Sequence, residues 1–421
     1  MTSIATPLFR FSLLYCVLYF SFGAASPFLP SFLEARGLTA EELGFLFATG
    51  TTIRLIAAPI AGRLADRFDA LGLLLAVCSV AAAVAALGFL PANGFQALLL
   101  VSLWQAAALA PTTNLADALA LMASKVKSGA GFEYGWVRGA GSAAFIVGSV
   151  AAGVAISAFG LAITLWLQSA ALMVMPWAAR WLPTTPAAMP EPTRSRPRIL
   201  TLARSPAFRR VVLIAALVLG SHAMHDTFAM IRWRAAGIAA WQMGLLWSVA
   251  VAAEVVVFFL IGPRLVGYLT PAGSMAFAAA CGAIRWGIAA ITADIVTIAL
   301  IQPLHGFTFA LLHLACMQVI AQTVPRQLAA TAQAVYGTVG IGLATAALSL
   351  LSGWLYGQFG ASAFFGMSLI CLLALPLAFG LRRLVIPDSA APHGQGNQGA
   401  SSAFSTGRDG NAKRESKFAN G

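Results

Sequence analysis

Charge is scarce in this chain. Of 421 residues, 14 are acidic and 26 are Lys or Arg, together 10% of the sequence, where an ordinary globular domain carries about 25%. So few charges cannot cover a water-facing surface of conventional size. Cysteine is equally sparse: Cys16, Cys78, Cys281, Cys316 and Cys371 stand singly, without disulfide or metal spacing, and are expected to be small apolar fillers. Familiar catalytic signatures are missing too. There is no HExxH, no GxSxG and no GxxxxGKS/T, which argues against an intramembrane enzyme and an ATP-driven pump.

Apolar length is what the chain has. Hydrophobic residues make up 59% and the mean hydropathy is +0.83. Runs of the roughly 20 residues that cross about 30 Å of hydrocarbon recur at 9–33, 41–62, 70–90, 95–121, 134–158, 161–181, 208–231, 241–262, 271–291, 294–319, 328–355 and 361–381. We therefore expect an all-α integral membrane protein with twelve transmembrane helices. The net charge of +12 reports topology rather than nucleic-acid binding, because Lys and Arg gather in alternate connections. With the N-terminus inside, Arg63, Arg67, Lys125, Lys127, Arg180, Arg264, Arg326, Arg382 and Arg383 fall on the cytoplasmic side and little beyond Arg36, Arg232 and Arg234 falls outside. Both termini are then cytoplasmic. Ala24-Ala25-Ser26 resembles a signal cleavage site, but the first run opens an even series and is expected to be a retained helix.

An internal repeat organises these runs. Gly37-Leu-Thr-Ala-Glu-Glu-Leu-Gly44 aligns without a gap with Gly237-Ile-Ala-Ala-Trp-Gln-Met-Gly244, an offset of 200 residues that also sets Arg54 on Glu254. Tyr134-Gly135 and Phe159-Gly160 are answered by Tyr336-Gly337 and Phe359-Gly360. Two six-helix halves of the same orientation follow, at 1–182 and 207–383. Between them, 183–206 is rich in Pro and Arg and is expected to be an extended cytoplasmic linker. The tail 384–421 has too little apolar surface to pack and is expected to be disordered.

Ionisable residues inside the apolar runs are costly, on the order of 2.5–3.5 kcal/mol each at a helix centre, so they are expected to face the bundle interior or a wet cavity. Glu254, Arg285 and His305 fall near mid-depth of three consecutive spans. Glu254 and Arg285 either form a static buried pair or Glu254 cycles a proton, with His305 as relay, orienting partner or plain core residue. His313 reads as structural. Asp117 and Arg138 sit toward the inner ends of their spans, with Asn114 on the face of Asp117; they either close that end or exchange Arg138 onto an anionic group. His222 and Asp226, one turn apart, read as a polar cavity wall rather than a metal site. Tyr15, Tyr19, Phe228, Trp247 and Phe307 are the aromatic candidates for lining the same cavity.

Gly62-Arg-Leu-Ala-Asp66-Arg67 resembles the GxxxDR loop signature of the major facilitator superfamily, which fastens the cytoplasmic face in one access state; Phe68-Asp69-Ala70 departs from the usual basic continuation. The segments around Ala253-Glu254-Val255, Arg285-Trp286-Gly287, Leu304-His305, His313-Leu-Ala, Gln333-Ala-Val-Tyr336, Asp117-Ala-Leu-Ala, Tyr134-Gly-x-x-Arg138 and Gly141-Ser-x-x-Phe145 resemble the 3-phenylpropionate permease family of that superfamily over roughly residues 10 to 383. The resemblance implies the major facilitator fold in a bacterial inner membrane. It also implies proton-coupled uptake of a small organic anion, an aromatic monocarboxylate, powered by the proton gradient with no cofactor, no nucleic acid partner and the monomer as working unit. On that reading Glu254, His305 and Arg285 handle the proton, while Arg54, Asn114, Asp117, Arg138, His222 and Asp226 meet substrate. The order of Glu254, Arg285 and His305 is also similar to the lactose permease group, but Thr308 stands where that group carries an acid. Neutral nucleosides or sugars are the alternative substrates.

Overall fold

The computed structural model describes residues 6–124, 132–182 and 199–385; most of the expected linker and tail lies outside the described residues. Helices make up nearly all of the described residues, and no strand occurs among them. In order they are α1 (Pro7–Ala25), α2 (Leu29–Ala35), α3 (Ala40–Phe68), α4 (Leu71–Gly88), α5 (Gly94–Ser124), α6 (Tyr134–Phe159), α7 (Ile163–Arg180), α8 (Ile199–Arg204), α9 (Pro206–Gly220), α10 (His222–Ala235), α11 (Ala240–Val256), α12 (Gly262–Ile291), α13 (Ile295–Ile301), α14 (Leu304–Gly306), α15 (Leu312–Thr323), α16 (Ala329–Val335), α17 (Ala344–Phe359) and α18 (Phe364–Val385).

Among the described residues, nine continuous helical stretches are long and apolar enough to cross a membrane. Two of them, Ala240–Ile291 and Arg326–Leu384, run to 52 and 59 residues, against the roughly 20 of a single crossing. Each contains a backbone break. Thr270 sits at φ 66 in the first, a conformation foreign to a β-branched residue, immediately before Pro271, which disfavours a helical Thr270. Gly360, at φ 54, breaks the second.

The repeat is legible in local geometry. Gly37 and Gly237 both turn the chain at positive φ, 89° and 82°, and in each copy a side chain from the first turn of the next helix reaches back to the residue before it. Thr39 N donates to Glu42 Oε2 at 2.8 Å, and Ala239 N donates to Gln242 Oε1 at 3.0 Å. At Thr39 the arrangement is reciprocal, its Oγ1 accepting from Glu42 N at 3.2 Å, as in a capping box; Ala239 has no side-chain acceptor and keeps the single bond.

Within the N-terminal half α1 packs on α6 and α7, and α4 on α5 and α7; within the C-terminal half α18 packs on α12 and α9. The halves meet along two seams, α3 with α17 and α6 with α11. Glycine makes both seams close. A Cβ on Gly44 would lie 2.7 Å from the Ser349 carbonyl oxygen, and one on Gly244 would lie 2.5 Å from that of Ser149. A Cβ on Gly353 would lie 2.7 Å from Ala40 O, and one on Gly153 would lie 2.6 Å from Ala240 O. Small residues at such crossings let backbones approach without side chains between them. Each seam repeats the other at the 200-residue offset, so the two halves are joined across an approximate twofold axis.

These crossings lie at one end of the molecule, where Arg234 also pairs with Glu34 across the halves. Arg36 is tied down nearby, donating to the Leu90 and Ala92 carbonyls at 2.8 and 2.9 Å. We refer to this as the pinched end.

Two local expectations are corrected. The Gly62–Arg67 motif is not a loop but the last turns of α3, which continues to Phe68 and stops only where Asp69 enters the left-handed region at φ 47. Its one glycine is too weak a helix breaker to end a well-formed helix. The end of the expected extended linker is likewise helical: α8 forms over Ile199–Arg204 and buries Leu202.

Candidate functional site

Five ionisable residues of the C-terminal half form a row built on four helical segments, hydrogen-bonded at its centre and in ion-pair distance at its ends. Arg285, on α12, is 1% exposed. Its Nη1 donates to His305 Nδ1 at 3.0 Å, and its Nη2 donates to Gln302 Oε1 at 3.1 Å and to His225 Nε2 at 3.3 Å. The guanidinium also lies 4.5 Å from the centroid of the Trp286 ring. Because a guanidinium has no acceptor, both histidines present it a lone pair, and each carries its hydrogen on the far nitrogen. Those nitrogens face carboxylates. His305 Nε2 is 3.6 Å from Glu254 Oε2, and His225 Nδ1 is 3.5 Å from Asp226 Oδ1. The row therefore reads Glu254, His305, Arg285, His225, Asp226, with a fixed cation in the middle and an acid at each end.

The direct pair of Glu254 with Arg285, one of the two readings of these residues, is not formed; His305 stands between them. Nor do His222 and Asp226 act together. His222 Nδ1 faces the Val218 and Leu219 carbonyls at 3.0 and 3.2 Å, so it carries the hydrogen, and Nε2 takes the Thr308 hydroxyl at 3.0 Å. Among the described residues no group of three His, Cys, Asp or Glu is placed to hold a metal.

In the N-terminal half Asp117 and Arg138 come together as expected, Arg138 Nη1 standing 3.7 Å from Asp117 Oδ1. Tyrosines enclose them. Tyr134 donates to Asp117 at 2.7 Å, Tyr15 donates to the same oxygen, and Arg138 donates to the Tyr19 hydroxyl. Asn114 takes no part; it is exposed and makes no hydrogen bond with any described residue.

Glu254 and Arg138 line one cavity of about 420 Å³, to which both halves contribute. Its wall includes His313, whose Nδ1 is 3.2 Å from the Tyr336 hydroxyl. Glu254 is 33% exposed there. Phe258, Phe309 and Ile341 of this wall belong to π-helical turns at Val257–Ile261, Phe307–Leu311 and Tyr336–Leu343. Such turns insert a residue into the helical ladder, re-aim side chains and recur at functional sites. A second cavity, of about 490 Å³, is lined by the N-terminal half and holds Arg54, Gln105 and Gln168. Ser142 and Phe145, one turn apart on α6, belong one to each cavity, so the two are stacked along that helix.

Some aromatic candidates are corrected. Tyr15 and Phe228 are fully buried, the first against Asp117 and the second stacked on Tyr356 at 4.2 Å; packing took them away from the cavities. Trp247 stacks on His225 at 4.9 Å and Phe307 meets Phe277 edge-on. Gln302 and His225 were not anticipated. Gln302 is uncharged and gives no signal in an apolar run, while the one-turn spacing of His222 and Asp226 draws the eye away from His225 between them.

Asp66 and Arg67 of the motif are exposed and form no ion pair with any described residue; Arg67 lies only over the Phe68 ring, at 5.7 Å.

Comparisons with known proteins agree with this architecture. The family model described as "MFS_1 like family" matches residues 8–367. The chain is 32% identical over 376 residues to the "Probable 3-phenylpropionic acid transporter" of Escherichia coli (strain K12), covering 89% of this chain and 97% of that protein. It is 25% identical over 366 residues to the maltose permease of Geobacillus stearothermophilus, covering 86% and 91%. Among solved structures, a mutant form of the nucleoside transporter NupG superposes with a TM-score of 0.79 at 16% identity, over 90% of this chain and 100% of that one. A bacterial homologue of the human lysosomal transporter Spinster gives 0.67 at 15% identity, over 92% and 98%. The chain belongs to the MFS_1 like family of the major facilitator superfamily: it is a multi-pass membrane protein and a secondary transporter, not an enzyme.

Proposed function

We propose that the protein takes up an aromatic monocarboxylate of the 3-phenylpropionate type together with protons, across a bacterial inner membrane, by rocking its two halves about the seams. The observation that carries this reading is the cavity in which Arg138 of one half and Glu254 of the other share a wall, with Glu254 as the end of the row that lines this cavity and leads through His305 to Arg285. A carboxyl group at the wall of a two-sided cavity can load a proton from one side and release it to the other. His305 holds its N–H toward Glu254 because Arg285 occupies its other nitrogen, so the ring is oriented to stabilise the ionised acid after release. An anion carried with one proton moves no net charge, and one carried with more enters with the inside-negative potential rather than against it.

Topology supports the direction. The few basic residues expected outside, Arg36, Arg232 and Arg234, gather at or near the pinched end. That end is then extracellular, both termini are cytoplasmic, and this conformation is open inward. Asp66 and Arg67, unfastened here, fit a latch that closes in the opposite state. If the breaks at Thr270 and Gly360 are turns between crossings and Ile163–Arg180 is a further crossing, the spans number twelve. Each chain carries a complete set of cavities, so we take the monomer as the working unit and the proton gradient as its energy source.

The resemblance to the probable 3-phenylpropionic acid transporter of Escherichia coli supports the substrate class. The maltose permease and the nucleoside transporter keep neutral sugars and nucleosides as the second reading. The deciding experiment is uptake of labelled 3-phenylpropionate into proteoliposomes under an inward proton gradient, in the parent and in Glu254→Gln. The expected outcome is accumulation in the parent, its loss in the variant, and survival of counterflow exchange in both. A parent that ignores this acid and accumulates a nucleoside or sugar would sink the substrate assignment.

A further inference from the structure

We propose that Arg54 receives the carboxylate of the substrate, in a cavity walled by the N-terminal half alone, leaving the proton to the C-terminal half. This rests on the aromatic-acid reading above and assigns the anion to Arg54 rather than to Arg138 or Arg285.

The other two are already engaged. Arg285 is almost fully buried and both of its Nη groups are held by His305, Gln302 and His225, while its Nε is enclosed, without a hydrogen-bond partner among the described residues. Arg138 is held by Tyr19 and stands beside Asp117. Arg54 is exposed to the cavity of about 490 Å³ and forms no hydrogen bond or ion pair with any described residue. A guanidinium inside an apolar bundle without a partner is an uncompensated charge, and a carboxylate supplies that partner through two parallel charge-assisted hydrogen bonds.

The rest of the wall specifies the remainder of the ligand. Arg54 is its one charged residue, and no acid lines it, so a monoanion is matched and a cation is not. Phe22 and Phe145 offer apolar faces to a ring. Polar partners are few: Gln105 Nε2 donates to Gln168 Oε1 at 2.8 Å and the Ser26 hydroxyl donates to the Phe22 carbonyl at 2.7 Å, which leaves the Thr113 hydroxyl and the second polar atom of each amide. A sugar or nucleoside would bury several hydroxyls there without partners, each at a cost; an arylalkanoate has none to bury.

Position links the site to the movement of the halves. Leu55, next to Arg54, meets the backbone of the other half, where a Cβ on Gly342 would lie 2.5 Å from Leu55 Cδ2. In the 200-residue register Arg54 and Glu254 are equivalent positions. One repeat has placed the anion's partner there and the other the proton's.

The test compares equilibrium binding of 3-phenylpropionate and its neutral amide to the purified full-length protein. The parent is expected to prefer the acid. Arg54→Gln is expected to weaken acid binding on the order of ten- to a hundredfold while the amide still binds, and Arg54→Lys to keep the preference. Ala58→Glu retains the arginine but sets a carboxylate one turn away on the same wall, and is expected to exclude the acid and spare the amide. An acid preference undiminished in Arg54→Gln, or in Ala58→Glu should the first variant not fold, overturns the assignment of the anion to Arg54 and leaves the aromatic-acid reading standing. A parent that binds neither compound overturns both.

Discussion

Glu34 and Arg234 stand 200 residues apart, at equivalent positions of the two repeats, and are ion-paired with each other. A twofold axis brings equivalent positions face to face, so a pair formed there needs opposite charges in the two copies. The pair sits beside the glycine crossings, and any movement that opens the pinched end must break it.

Reversing one charge, as Glu34→Arg or Arg234→Glu, sets like charges against each other. Both side chains are more than a third exposed, so we expect a coupling of only about 0.2–1 kcal/mol. Counterflow rates and melting temperatures in detergent should fall in each single variant and recover in the double exchange. A double exchange as impaired as the two singles combined would remove the pair from the gating scheme.

The seams allow a sharper steric test. Gly44→Val places atoms where only the Ser349 carbonyl and the Gly353 backbone now fit, and should hold the pinched end apart and abolish net uptake. Gly267, where an added Cβ meets nothing within 4 Å, should accept alanine with transport unchanged. Equal tolerance at both sites would show that the crossing is not tight during the cycle.

Gln302 holds Arg285 through Oε1 and donates through Nε2 to the Leu246 carbonyl at 3.0 Å. Gln302→Leu orphans a buried cation donor and a buried carbonyl, at about 1–3 kcal/mol each. Asn114→Ala, at an exposed position without hydrogen bonds, should stay within about 0.5 kcal/mol. Melting curves of the two variants should separate clearly; coincident curves would mean that Gln302 contributes nothing to holding the arginine.

Asp294 caps α13 in the connection before it, accepting from the Thr297 backbone N and hydroxyl, both at 2.9 Å. These hydrogen bonds favour the ionised form and hold the carboxyl below its ordinary value. The folded value is the lower one, so its contribution is present above the unfolded value and is lost as pH falls through the folded value. Asp294→Ala should therefore lower the melting temperature at neutral pH, and the difference from the parent should shrink below about pH 3. A difference independent of pH would assign the effect to something other than the ionised cap.

The sequence carried much of this structure. Scarce charge and recurrent apolar runs pointed to a helical membrane protein, because hydrocarbon leaves no backbone group unpaired and runs of about 20 apolar residues match a helical crossing rather than a strand. The Gly37 and Gly237 segments revealed the repeat, because a left-handed turn and a helix cap are written in a few adjacent residues. Asp117 with Arg138 was also legible, since opposite charges at similar depth have little choice but to meet.

What the sequence could not decide was which groups touch across helices far apart in the chain. It put Glu254 and Arg285 in neighbouring spans but not His305 between them, and it had no means of enlisting Gln302, whose role depends on a partner 17 residues away. It could not tell that Arg54 has no partner among the described residues while Arg138 and Arg285 are held, because that depends on the rotation of each helix about its own axis. Composition and periodicity set how many helices form and which residues they must hide. The angles at which those helices pack, set by glycine crossings and π-helical turns, decide which hidden residues face one another, and only the tertiary structure contains them.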